Sequence, residues 1–106
     1  GKGRGNEYDV KFVSFSGMDT IYKIKSDGEN EIVFAFESLV EDGEFKVVLI
    51  TPEDEIINIV KGTKEGNETI EIREGVSRIK LIGKKAKGEI KIQIDSGEGV
   101  DIKRVD

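Results

Sequence analysis

The feature that most limits this chain is where its apolar side chains branch. Twenty-five residues are Ile or Val, and only five are Leu or Ala. Side chains branched at Cβ sit well on a pleated strand and lose rotamer freedom in a helix. No long stretch repeats its apolar residues at helical spacing, and 13 glycines interrupt the 106 residues at turn-like intervals. An all-β chain is expected.

The apolar residues alternate in short runs. Tyr8, Val10 and Phe12 share one phase, with Val13 and Phe15 on the other, until Ser16-Gly17-Met18-Asp19 interrupts them. Thr20, Tyr22 and Ile24 follow, and Ser26-Asp27-Gly28 ends that run. Ile32, Phe34 and Phe36 lie before the turn residues Glu41-Asp42-Gly43; Phe45, Val47 and Leu49 lie after them. Residues 47–50 are continuously apolar, as a strand covered on both sides would be. Thr51-Pro52-Glu53-Asp54 is a turn whose proline has φ preset, and residues 56–60 form the next strand. After a polar loop over 62–67, Ile70 and Ile72 alternate. Glu74-Gly75 turns the chain into 76–82, and 83–88 forms a lysine-rich loop. Ile90, Ile92 and Ile94 alternate strictly; 95–99 is a last loop, and 100–105 is a short strand or tail.

About eight short strands at a spacing near ten residues point to an antiparallel β-sandwich, jelly-roll-like, with a closed barrel as the alternative. Residues 1–6 lack apolar side chains and read as a flexible leader, leaving 7–106 as a single domain. Phe34, Phe36, Phe45, Val47, Leu49, Ile57, Ile59, Ile90 and Ile92 form the expected core. Residues 43–49 and 88–94 both read Gly-Glu-apolar-Lys-apolar-x-apolar, which is either shared strand grammar or the mark of two equivalent central strands.

Composition closes several routes to function. With no His and no Cys, thiolate-metal sites, disulfides and the common catalytic triads are absent, and no serine stands in a Gly-x-Ser-x-Gly turn. A carboxylate pair could in principle hydrolyse a glycosidic bond, but a small chain without insertions or Trp is a poor sugar enzyme. A non-enzyme is expected. No apolar run is long enough for a transmembrane helix. A net charge of −5 argues against a partner such as nucleic acid, which needs a basic face. Lys84, Lys85 and Lys87 read as a solvated loop.

Oxygen ligands are the only metal ligands supplied, so calcium is the metal to consider. Asp95, Glu98 and Asp101 lie close in sequence, with Gly97 and Gly99 between them to let the backbone bend. They are the candidate site. The acidic stretches 41–44 and 53–55 are weaker candidates and read as solvated turns.

Four stretches carry a likeness. They are Thr-Ile-Tyr-Lys-Ile-Lys at 20–25; the glycine, strand, proline and acidic turn of 41–55; Glu-Gly-Val-Ser-Arg-Ile-Lys-Leu at 74–81; and Lys-Ala-Lys-Gly-Glu-Ile-Lys-Ile at 85–92. Over roughly residues 8–94 the chain resembles small secreted or lipid-anchored β-sandwich proteins of Gram-positive bacteria. These are similar in style to the prepeptidase C-terminal domains appended to secreted enzymes. The resemblance implies a bacterial, extracellular or cell-surface protein, from which a signal peptide or lipid-anchor cysteine upstream of Gly1 could have been removed. It implies no catalytic residue. It supports a binding module for a protein or glycan, or a lipoprotein body; a structural domain supporting a secreted enzyme is the alternative.

Overall fold

A computed structural model describes residues 6–105. Among them there is no helix. Six strands form one antiparallel sheet: β1 (Asn6–Ser26), β2 (Asn30–Ile50), β3 (Ile56–Lys61), β4 (Lys64–Ile72), β5 (Gly75–Ser96) and β6 (Val100–Arg104). Of the expected leader, residues 1–5 lie outside the described residues, and Asn6 opens β1.

Six strands replace the expected eight or so because three of the expected turns are bends inside continuous strands. β1, β2 and β5 run for 21, 21 and 22 residues. Each slips register near its middle. Residues 6–12 of β1 pair with 88–94 of β5, whereas 17–26 pair with 75–83. The register slips between Phe12 and Phe15 and again between Phe15 and Gly17. In β2 it slips around Asp42, so that 32–40 face 88–96 of β5 and 44–50 face 78–84. Ser14 and Lys85 adopt positive φ at these bends (57° and 49°), and the Lys85 amide donates to Ser16 Oγ at 2.9 Å. Bulges of this kind bend a strand and increase its twist. The lysine-rich segment is thus the bend of β5 rather than a loop, and its three lysines are exposed.

Two glycines allow the bends to nest. A Cβ at Gly43 would overlap the backbone carbonyl of Lys85, and one at Gly88 would overlap that of Leu39. Each glycine sits where the partner strand of the β2–β5 pair presses closest. The two similar stretches beginning at Gly43 and Gly88 therefore do occupy equivalent positions. Each leaves the bend with a glycine against the partner backbone and continues as a central strand.

The bends divide the sheet into two halves. In the four-strand half the order is β1, β5, β2, β4; in the five-strand half it is β6, β1, β5, β2, β3. Both halves contribute to one apolar cluster. Tyr8 from one half meets Tyr22 from the other edge-on, with ring centroids 6.2 Å apart. Phe12 stacks on Phe45 at 4.5 Å. Eight of the nine expected core residues are buried; Ile57, at 39% exposure, is the exception. Ile57 pairs with the buried Leu49 on the inward phase, but it lies near the end of the edge strand β3, which also carries a register slip. Val47 pairs with Val60 and Val48 with Asn58, so Ile59 is the extra residue. Ile59 and Val60 are both buried, and Ile57 is left at the edge. The same device in β1, where Ile21 is skipped between Thr20 and Tyr22, buries the consecutive pair Ile21 and Tyr22.

Candidate functional site

The register fixes which side chains turn away from the core. In the four-strand half, Ile90, Ile92 and Ile94 of β5 point inward and are buried, so Glu89, Lys91, Gln93 and Asp95 point outward. Their partners follow the same phase. β1 contributes Glu7, Asp9 and Lys11; β2 contributes Glu31, Val33, Ala35, Glu37 and Leu39; β4 contributes Glu65, Asn67, Thr69 and Glu71. Eight carboxylates stand against two lysines, a balance of −6. Neighbouring strands even place carboxylates directly opposite one another, Glu31 against Glu71 and Glu37 against Glu65. An open depression of about 950 Å³ is lined by Glu7, Asp9, Glu37, Glu65 and Lys91 of this face together with Tyr8, Phe36 and Arg104.

The outer face of the five-strand half has the opposite sign. There Ile79 and Leu81 are buried, so Val76, Arg78, Lys80 and Ile82 turn outward. Alongside them stand Met18, Thr20, Lys23 and Lys25 of β1, and Lys46, Val48 and Ile50 of β2. β3 adds Ile56, Asn58 and Lys61, and β6 adds Asp101 and Lys103. Seven bases stand against Asp101, a balance of +6. At the bend itself Glu44 pairs with Lys84 and adds no net charge. Like charges again meet across strands: Lys23 faces both Lys103 and Arg78, and Lys46 faces Lys61.

Val48 marks the middle of this basic face. It is fully buried yet lies outside the central apolar cluster. Its neighbours on this face are Lys46, Ile50, Asn58 and Lys80. Lys46 and Lys80 are themselves half-buried, as expected when lysine stems lie across an apolar residue and leave their ammonium groups in water. Met18 and Ile56 remain 67% and 63% exposed at the margins. Among the described residues no ion pair joins strands within either face; the pair between Arg73 and Glu53, at 3.5 Å, belongs to turns.

The calcium candidates are not brought together. Asp95 pairs with Val33 on the acidic face, Glu98 sits in the turn, and Asp101 pairs with Lys25 on the basic face. The turn after β5 carries the chain from one half to the other, which separates the two aspartates by face. All three are exposed, and among the described residues no group of three carboxylates is placed to hold a metal.

Tyr8 and Tyr22 are core residues, at 7% and 1% exposure, and the Arg104 guanidinium lies 4.8 Å from the Tyr8 ring centre. A second opening of about 400 Å³ lies where β3 and β4 diverge, lined by Leu49, Ile57 and Ile72 together with Glu29, Glu55 and Arg73. Net charge concealed the two faces, because it adds them together. The signal that finds them is the sign of charge read separately on each strand phase: Lys23 with Lys25, Arg78 with Lys80, and Glu7 with Asp9. No protein-family model matches the chain, and no curated protein matches it in sequence.

Proposed function

We propose that this chain is a non-enzymatic interaction module of the bacterial cell surface, binding a protein or glycan through the outer faces of a β-sandwich. Its six strands, divided at three bends, act as nine strand segments in two layers. The single shared core supports that two-layer reading. The observation that carries the functional reading is the separation of charge, −6 on one outer face and +6 on the other in a chain of net charge −5. Solubility alone is served by mixing signs on each face. Gathering each sign on its own face leaves few opposite-charge cross-strand partners, Asp9–Lys91, Lys11–Glu89, Glu37–Lys91 and Lys25–Asp101, and creates two surfaces, each able to select a partner of the opposite sign.

The test is retention on charged matrices at pH 7 and low salt. An acidic protein with a coherent basic face is held by an anion exchanger and also by a cation exchanger. Lys23→Glu/Arg78→Glu/Lys80→Glu abolishes retention on the cation exchanger alone. Failure of the parent protein to bind the cation exchanger would overturn the reading, as would turnover of glycoside or ester substrates that tracks with the protein.

A further inference from the structure

We infer that the partner of each face is a second copy of this chain, the acidic face of one molecule stacking on the basic face of the next. This rests on the reading of the outer faces as binding surfaces and adds the identity of the occupant. The charge balances are equal and opposite, so one copy offers what its neighbour lacks. The like-charge pairs Glu37–Glu65 and Lys46–Lys61 repel in an isolated chain; attraction to a face of opposite sign laid over them offsets that repulsion. Both faces also carry exposed apolar side chains, Val33 and Leu39 on the acidic face and Met18 and Ile56 on the basic face.

The size of the faces sets the strength. Four or five strands about 4.8 Å apart, each contributing about seven residues at about 3.3 Å, give roughly 400–550 Å² per face. That is below the roughly 800 Å² per partner of a stable standard interface. The stack is therefore weak, reversible and sensitive to salt. Because two different surfaces meet, it does not close at a dimer but grows end to end.

Sedimentation of the intact protein at low ionic strength tests this. The weight-average mass rises with concentration past that of a dimer and returns to the monomer in about 1 M salt, where the Debye length is about 3 Å. Lys23→Glu/Arg78→Glu/Lys80→Glu brings the basic face to no net charge, and Asp9→Lys/Glu37→Lys/Glu65→Lys does the same for the acidic face. Each variant alone stays monomeric, and an equimolar mixture forms a one-to-one complex that grows no further. Melting curves confirm that both variants fold, and the salt series on the parent protein needs neither. A parent that is monomeric at every concentration and salt overturns the inference, as does a closed dimer that neither variant disrupts. If the parent is monomeric yet binds both ion exchangers, or binds anionic vesicles through its basic face, copy-on-copy stacking is wrong while the faces remain binding surfaces.

Discussion

Along β5 the two halves of the molecule can be compared residue by residue. Between Gly88 and Ser96 it turns Ile90, Ile92 and Ile94 inward and Glu89, Lys91, Gln93 and Asp95 outward. Between Gly75 and Gly83 it turns Ser77, Ile79 and Leu81 inward and Arg78, Lys80 and Ile82 outward. The inward sets are nearly interchangeable, since both fill one core. The outward sets differ in sign, and their neighbours on β1, β2 and the edge strands differ in the same sense. Packing explains the likeness, because any β-branched residue of the right volume serves in the core. Packing does not explain the difference. The inner faces hold the two halves together; the outer faces distinguish them.

The comparison breaks most severely if the bend fails, for then there are no halves. Gly88→Ala places a methyl group onto the Leu39 carbonyl. Neither strand can retreat without losing its ladder bonds, so a loss above about 4 kcal/mol is expected, among the largest single-residue effects. Urea titration measures it, and a midpoint within error of the parent would show that β2 and β5 are not in close contact there. Phe45→Ala comes next. Phe45 is 3% exposed and stacked on Phe12 across the bend, and its truncation is expected to cost about 3–5 kcal/mol. A cost below about 1 kcal/mol would mean that the aromatic contact does not join the halves.

Much of this was legible in the sequence, and the failures share a cause. Strand character, the Pro52 turn and the alternating core of Phe34, Phe36, Ile90 and Ile92 follow from side-chain type and a period of two. Continuity through 13–19, 41–43 and 83–88 was not legible, because a bulge uses the same Gly, Ser and Asp residues as a turn. Only the partner strand decides whether the chain reverses or merely bends. Bulges also invert phase, which is why strict alternation gave no weight to Ile21; Ile57 keeps the inward phase opposite Leu49 and is exposed because it lies on an edge strand. The candidate site at Asp95, Glu98 and Asp101 was drawn from nearness in sequence, which the passage from one half to the other undoes. The charged faces were present in the strand phases but hidden in the net charge.

The edge strand β3 offers a finer test. Ile59, at 7% exposure, and Ile57, at 39%, lie two residues apart, and unbroken alternation would bury them equally. Ile59→Ala is expected to lose about 2–4 kcal/mol and Ile57→Ala less than about 1 kcal/mol. Equal losses in chemical denaturation would show that Ile57, opposite Leu49, is covered as fully as Ile59.

The smallest effect bears most directly on the difference between the faces. Glu71 lies opposite Glu31 on the acidic face, and Lys61 lies opposite Lys46 on the basic face. Glu71→Lys and Lys61→Glu each turn a like-charge cross-strand pair into an opposite-charge pair. Such pairs are worth about 0.2–1 kcal/mol, so each variant should melt slightly above the parent in dilute, low-salt solution, where no stack contributes by mass action. In about 1 M salt the gain should vanish, since screening removes the repulsion that was relieved. Self-association should move the other way, because each change takes two units of charge from its face. An isolated chain that becomes more stable while its stack becomes weaker would mean that charge is segregated by face at the expense of the monomer. No gain in stability at low salt would mean that the paired side chains already avoid one another in solvent. The segregation would then carry no cost for assembly to offset.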